Sequence, residues 1–222
     1  THKSLICRES VIDNLYEALL GSEIRQRLAG SVVLYGYGGV GKTAITTEFL
    51  YRLIRDRKDN KYVDIEYLLF FSSKDEYLRS NNTSGELYID SAKPEFSTLE
   101  ELQSLICGSL KVDSPQQIQG RGIIAIDNIE NIDPSEKDKI INFIKSLPRN
   151  IQFIVTSRNE EPCEEKIHIE EFKNDETGVN FVEQMVESEG FDINMKPGMA
   201  GQILDVSKGN ALIIIQILNI VD

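Results

Sequence analysis

Eight consecutive residues near the start of the chain have the types and spacing of a loop that binds phosphate groups. They run from Gly36 to Thr43 in the order Gly-Tyr-Gly-Gly-Val-Gly-Lys-Thr, follow the apolar run 32–35 and open a segment with helical spacing. A loop between a strand end and a helix start directs backbone N–H groups and the positive end of the helix dipole at a bound anion. The alternative is a glycine-rich turn that only joins a strand to a helix.

The side chains of this motif predict a nucleoside polyphosphate, ATP or ADP, with Mg²⁺ as the ligand. The Lys42 ammonium is expected to reach the β and γ phosphates, and the Thr43 hydroxyl to ligate Mg²⁺. The other predicted nucleotide contacts of the loop are Gly36, Gly38, Gly39, Val40, Gly41 and Ala44.

A carboxylate ends a second apolar run. Residues 123–126 lead directly into Asp127, and Glu130 follows three residues later. An acid at the carboxyl end of a buried strand is placed to hold a water bound to Mg²⁺, so we predict that Asp127 and Thr43 form the metal site. Glu130 is then the candidate that orients or deprotonates the attacking water. The alternatives are an aspartate that starts a turn and a solvated acid in a loop.

Arg158 follows the next apolar run, residues 151–155. If this strand lies between the strand of the phosphate loop and the strand of Asp127, the guanidinium can reach a γ-phosphate and report its presence. We therefore predict Arg158 as a fourth catalytic residue beside Lys42, Asp127 and Glu130. The alternative is a surface arginine in a polar turn.

The elements that must position these residues alternate between strand and helix. Five apolar runs predict strands, near 32–35, 65–71, 123–126, 151–155 and 166–169. This alternation favours an α/β fold with a parallel sheet and helices on both faces. From residue 175 onward the strand pattern stops. We therefore predict a nucleotide-binding domain over residues 1–171, with a leading helix, and a small helical unit over residues 172–222.

Three local features complete this interpretation. The nearly continuous apolar run 65–71 predicts a strand buried on both faces. Ser97 and Glu100 have the spacing of a capping box before a helix over about 98–110. Residues 80–85 are rich in turn formers, and residues 86–90 are compatible with one short strand.

Composition limits the possible partners and compartments. The chain has 222 residues, 41% of them hydrophobic, and a formal net charge of −12, which argues against a surface built for nucleic acid or an anionic membrane. Three scattered cysteines, Cys7, Cys107 and Cys163, indicate reduced thiols in a cytoplasmic protein, and two histidines are too few for a zinc site. No signal peptide is apparent. The longest apolar run, 211–221, is too short to span a membrane and needs a covering partner, so we expect this chain to be part of a longer protein.

The motifs together resemble a known family. The loop Gly36–Thr43, the strand that ends in Asp127-Asn-Ile-Glu130, and the segment Val155-Thr-Ser-Arg158 occur in the order found in the signal-transduction ATPases with numerous domains (STAND). That group of P-loop NTPases includes the NB-ARC and NACHT modules of immune receptors. The leading segment Ile6-Cys-Arg8-Glu and the later segment Lys208-Gly-Asn-Ala-Leu212 are similar to two outer motifs of the family. The resemblance covers nearly the whole chain.

By this resemblance, the fold is a five-stranded P-loop core of the AAA (ASCE) type with an attached helical subdomain, and the nucleotide lies between them. Lys42 and Thr43 correspond to the Walker A pair, Asp127 to the Walker B carboxylate and Arg158 to a sensor, while Arg8 lies near the adenine. The implied function is an ATP/ADP-controlled switch in a larger signalling or immunity protein. Slow ATP hydrolysis would reset it, ATP would favour self-association, and effector and sensor domains would flank it.

Three residues depart from the family pattern. Cys7 stands in place of glycine, Ala211 in place of proline, and Ala44 in place of a second hydroxyl residue. The winged-helix unit that follows the helical subdomain in the family has no counterpart in this sequence.

The residues leave three alternative functions open. A DNA-associated initiator or remodelling ATPase requires a basic groove, which the acidic balance disfavours. A small-molecule kinase requires a lid rich in arginine, whereas the basic residues after residue 159 are Lys166, Lys173, Lys196 and Lys208. A scaffold that binds nucleotide without turnover is disfavoured by Glu130 alone.

Overall fold

A computed structural model describes residues 7–21, 28–74, 76–80, 87–91 and 94–222 of the chain, with only the backbone course for 76–80 and 87–91. The helices are α1 (Glu9–Leu20), α2 (Lys42–Lys58), α3 (Leu99–Leu110), α4 (Pro134–Ser146), α5 (Glu176–Glu189), α6 (Met199–Ser207) and α7 (Ala211–Val221). The strands are β1 (Ser31–Tyr35), β2 (Ile65–Ser72), β3 (Glu76–Ser80), β4 (Leu87–Ser91), β5 (Arg121–Asp127), β6 (Ile151–Ser157) and β7 (Glu165–His168).

The main sheet has five parallel strands in the order β2-β5-β6-β1-β7. This order confirms the predicted fold class, and β6 lies between β1 and β5. In register, Tyr35 of β1 is opposite Ser157 of β6, and Ser72 of β2 is opposite Asp127 of β5. The carboxyl ends of these four strands therefore lie side by side at one edge.

Alternate residues of the central strands supply the two cores of the sheet, because successive side chains of a strand point to opposite faces. Val32 and Leu34 of β1 pack with residues of α1 and α2 on one face. Val33 of the same strand packs with residues of α3 and α4 on the other face. The central strands are buried on both sides as a result, which is typical of parallel sheets.

The last three helices enclose a separate apolar cluster. Its members include Phe181 and Val182 of α5, Leu204 of α6 and Leu218 of α7, with Phe172 at the junction to the sheet. These helices agree with the predicted loss of strand pattern after residue 175, while the division at residues 171 and 172 stays a prediction. Within the described ranges, no helix is both long and apolar enough to cross a bilayer.

Three local expectations differ from the structure. β2 lies at one edge of the five-stranded sheet, beside β5, and is not fully buried, because residues 67–69 are half-buried and Phe70 is 37% exposed. The capping box before α3 is formed by Thr98 and Glu101, one residue later than predicted. The Ser97 hydroxyl also donates to the Glu101 carboxylate.

The region between β2 and α3 contains two strands where the sequence predicted one. β4 pairs with β3 in an antiparallel hairpin. The predicted turn at 80–85 lies outside the described residues apart from Ser80, as does Ile6 of the leading segment.

Candidate functional site

The phosphate-binding motif forms the connection from β1 to α2. Gly41 stands immediately before α2 with φ 102°, a left-handed conformation that glycine adopts without strain. A side chain there would meet no atom within 4 Å, so the loop is open beside the first turn of the helix. The start of α2 therefore presents its unpaired N–H groups to the space around Gly41, as an anion site requires.

The Lys42 side chain is buried at the base of this loop. Its ammonium donates to the carbonyls of Gly36 at 2.7 Å and Tyr37 at 3.0 Å. Burial lowers the pKa of Lys42, and the charge of Glu130 partly offsets this effect. The two carbonyls hold the ammonium against the loop, where the predicted phosphate contact requires it.

Thr43 and Asp127 are brought together as predicted. The Thr43 hydroxyl lies 2.9 and 3.0 Å from the two carboxylate oxygens of Asp127. The carboxylate also accepts from the Thr156 hydroxyl at 2.6 Å and from the Asn128 side-chain amide at 2.6 Å. Asp127 is only 1% exposed, and burial raises its pKa although the bonds from Thr156 and Thr43 act in the opposite direction.

These two residues fit a magnesium ion. Mg²⁺ prefers oxygen ligands and binds through one or two carboxylates, often with water between. A hydroxyl and a carboxylate lie in contact at the mouth of the phosphate loop, and the buried carboxylate gains stability from any cation placed beside it.

Glu130 and Arg158 form an ion pair above the loop. The Arg158 Nε lies 3.3 Å from Glu130 Oε1, with the Glu130 side chain 10% exposed and that of Arg158 65% exposed. Glu130 Oε2 is buried and has no hydrogen-bond partner among the residues that the structure describes. A Cβ built on Gly38 would lie 3.8 Å from the Arg158 guanidinium, so Arg158 lies beside the phosphate loop.

Arg8 connects the loop to the junction with the helical part. Its guanidinium donates to the carbonyls of Val40 at 3.3 Å and Glu170 at 2.9 Å, and lies 3.9 Å from the centre of the Phe172 ring. Burial lowers the pKa of Arg8. Its predicted position near the adenine stays a prediction, because the contacts of this guanidinium are to protein groups.

A cleft of about 1270 Å³ joins these groups. One wall consists of the phosphate loop and the start of α2, together with Glu130 and Arg158. Residues of α5 and α7, including Met185 and Leu212, line the rest of the cleft. Of the predicted site residues, Arg8, Gly38 to Ala44, Glu130 and Arg158 line the cleft, while Gly36 and Asp127 lie behind it and contact Lys42 and Thr43.

Two residues at the site had no role in the sequence interpretation. Thr156 was only part of a quoted segment, but its hydroxyl bonds the Asp127 carboxylate and accepts from the Asn128 N–H at 2.9 Å. The sequence feature that could have identified Thr156 is a polar side chain near the end of an apolar strand. Asn210, which belongs to the quoted segment Lys208–Leu212, donates to the Gly38 carbonyl at 2.7 Å, a contact that the sequence interpretation did not predict.

The family profile described as "AAA ATPase domain" matches residues 4–155, which is more than half of the chain. The chain belongs to the AAA ATPase domain family. This match confirms a P-loop ATPase domain of the AAA type, and it does not distinguish the STAND group from other AAA proteins. No curated protein matched the sequence.

Several solved structures share this fold. The ORC1 protein of Aeropyrum pernix, in complex with DNA, has a TM-score of 0.64 at 16% identity over 98% of this chain and 60% of its own. The ORC2 protein of the same organism, in ADPNP-ADP complexes, has a TM-score of 0.60 at 12% identity over 96% of this chain and 62% of its own. A variant of RuvB from Thermotoga maritima has a TM-score of 0.57 at 17% identity over 97% and 63%. The chain thus spans about three fifths of the length of these proteins.

Replacement of Lys42 tests the phosphate site. We expect Lys42→Ala to weaken ATP and ADP binding by at least about 10-fold, the loss that one or two charge-assisted hydrogen bonds produce. Isothermal titration calorimetry measures both affinities. Lys58, at the far end of the same helix, provides the control Lys58→Ala, which should bind as the unchanged protein does. Equal affinities in the Lys42 and Lys58 variants would contradict a phosphate contact by Lys42.

Proposed function

We propose that this AAA ATPase domain is an ATP/ADP-operated switch module of a larger signalling or immunity protein, with slow Mg²⁺-dependent hydrolysis. Nucleotide binds in the cleft that the phosphate loop and helices α5 and α7 line. The observation that carries this proposal is the ion pair between Arg158 and Glu130 beside Gly38, because one arginine lies next to the phosphate loop and pairs with the predicted catalytic base.

The phosphate tail is held by the loop and its lysine. Backbone N–H groups of the loop and of the first turn of α2 bind the phosphate oxygens, and the Lys42 ammonium neutralises part of their charge. Thr43 and Asp127 would hold Mg²⁺, which supplies a positive charge to the developing oxyanions. Thr156 and Asn128 position the Asp127 carboxylate through the bonds described above.

Glu130 is the acceptor of the proton from the attacking water. Its Oε2 atom is buried, has no partner among the described residues, and lies on a residue that lines the cleft. Arg158 occupies the other oxygen of this carboxylate. Movement of Arg158 away from Glu130 frees this second oxygen as well.

The γ-phosphate provides the difference between the two nucleotides. ATP places a charged group where it competes with Glu130 for the Arg158 guanidinium, whereas ADP leaves the ion pair intact. A ligand shifts a conformational equilibrium only by its difference in affinity for the two states, and this competition supplies such a difference. We propose that the ATP-bound form self-associates in the complete protein and that effector and sensor domains read this change.

Replacement of Arg158 tests whether this residue discriminates ATP from ADP. We expect Arg158→Ala to weaken ATP binding by at least about 10-fold, the loss of a charge-assisted hydrogen bond, and to change ADP binding by less than about twofold. Titration calorimetry with Mg²⁺-ATP and Mg²⁺-ADP at low temperature gives the ratio of the two affinities. Arg149→Ala, which removes an exposed arginine paired with Glu164, is the matched control. An unchanged ATP/ADP ratio in Arg158→Ala would overturn the sensing role.

Replacement of Glu130 tests the hydrolytic step. Glu130→Gln keeps the shape of the side chain and an oxygen for Arg158 but removes the base. We expect turnover to fall at least about 100-fold, the usual contribution of a general base, with ATP affinity retained. Phosphate release under saturating ATP gives the rate. If Glu130→Gln hydrolyses ATP as fast as the unchanged protein, Glu130 is not the base.

A DNA-associated ATPase is the second candidate function. The structural similarity to the ORC1 protein solved in complex with DNA favours it, whereas the net charge of −12 opposes it. Turnover measured with and without duplex DNA at low salt separates the two functions. We expect DNA to leave the rate unchanged, and a severalfold, salt-sensitive stimulation would favour the DNA-associated function.

A further inference from the structure

The first turn of α7 is hydrogen-bonded to the phosphate loop at two successive carbonyls. The Asn210 side-chain amide donates to the Gly38 carbonyl at 2.7 Å. The Leu212 backbone N–H donates to the Gly39 carbonyl at 3.0 Å. These contacts join residues about 172 positions apart in the chain, so the last helix completes a loop that belongs to the sheet.

The contact is close enough to dictate the residue at position 39. A Cβ on Gly39 would lie 2.5 Å from Asn210 Oδ1 and 3.0 Å from the Leu212 Cβ, and its φ is +83°. Both the backbone conformation and the approach of α7 therefore exclude a side chain there. Asn210 itself is fixed, because its Oδ1 accepts the Ile213 N–H at 3.3 Å as the N-cap of α7.

The two carbonyls determine where two N–H groups of the loop point. In a trans peptide the C=O and N–H groups lie in one plane and point in opposite directions. The bonds from Asn210 and Leu212 hold the carbonyls of Gly38 and Gly39 toward α7, so the N–H groups of Gly39 and Val40 face the opposite side of the loop. In the part of the chain that the structure describes, neither N–H donates to a protein group.

We propose that Asn210 is a positioning residue of the phosphate site: its bond to the Gly38 carbonyl orients loop peptides whose N–H groups bind the phosphate chain of the nucleotide. This inference rests on the proposed nucleotide site. The helical part thereby contributes to the phosphate site itself, and movement of α7 weakens phosphate binding while bound phosphate holds α7 in place.

The test separates the capping role of Asn210 from its bond to the loop. Asn210→Ser retains a neutral N-cap oxygen but lacks the amide donor that reaches Gly38. Asn219→Ser makes the same change on the exposed side of α7, where the asparagine donates to the Ile215 carbonyl of its own helix, and is the matched control. The ligands are ADP, adenosine and inorganic pyrophosphate, measured by calorimetry or by competition with a fluorescent ADP analogue.

We expect Asn210→Ser to weaken ADP and pyrophosphate binding about 3- to 10-fold, the effect of one neutral hydrogen bond. Adenosine affinity and the melting temperature without nucleotide should match those of Asn219→Ser. If Asn210→Ser does not fold, Asn210→Gly, another tolerated N-cap, provides the same measurements.

Two results would overturn the inference alone, with the nucleotide site intact. In one, Asn210→Ser binds ADP as tightly as the unchanged protein. In the other, ADP and adenosine lose affinity equally, which would mean that Asn210 acts on the whole cleft rather than on the phosphates. If the unchanged protein binds neither ADP nor pyrophosphate, the proposed function and this inference both fail.

Discussion

The buried carboxylate of Asp127 is the constraint on which the site depends. A carboxylate that is 1% exposed is costly unless neighbouring groups donate to it. Here the donors come from the start of α2, from β6 and from the adjoining Asn128. They meet because β6 lies beside β5 in the sheet and because the phosphate loop returns α2 toward the same edge. The strand order therefore brings together the donors that the Asp127 carboxylate needs, at the place where the metal is predicted to bind.

The same edge explains why most of the candidate site could be predicted from the sequence. Parallel strands end at one edge, so polar residues that follow separate apolar runs converge there even when they are distant in the chain. Asp127, Glu130 and Arg158 follow two such runs, and the structure brings all three to the phosphate loop. The spacing of Gly36–Thr43 adds a local signal that needs no knowledge of the fold.

The features that could not be predicted depend on contacts between distant segments rather than on local sequence patterns. The run that became β2 is as apolar as a central strand, but only the topology shows that its second edge is unpaired. β3 is a short run, Glu-Tyr-Leu-Arg-Ser, whose polar residues give no clear strand pattern. Its pairing with β4 was therefore not predicted. Arg8 and Asn210 bond carbonyls that the folded arrangement of distant segments brings near, and a local sequence pattern carries no record of such an approach.

That arrangement has an evolutionary consequence. In three hydrogen bonds described above, the acceptor is a main-chain oxygen, which every residue type supplies. They run from Arg8 to Val40, from Asn210 to Gly38 and from Leu212 to Gly39. Substitution of the side chain at position 40 leaves its acceptor in place, so no compensating change is needed at position 8. Statistics of paired substitutions across homologous sequences would therefore miss these contacts, and only the two side-chain donors, Arg8 and Asn210, would stand out, because the Leu212 donor is a main-chain N–H.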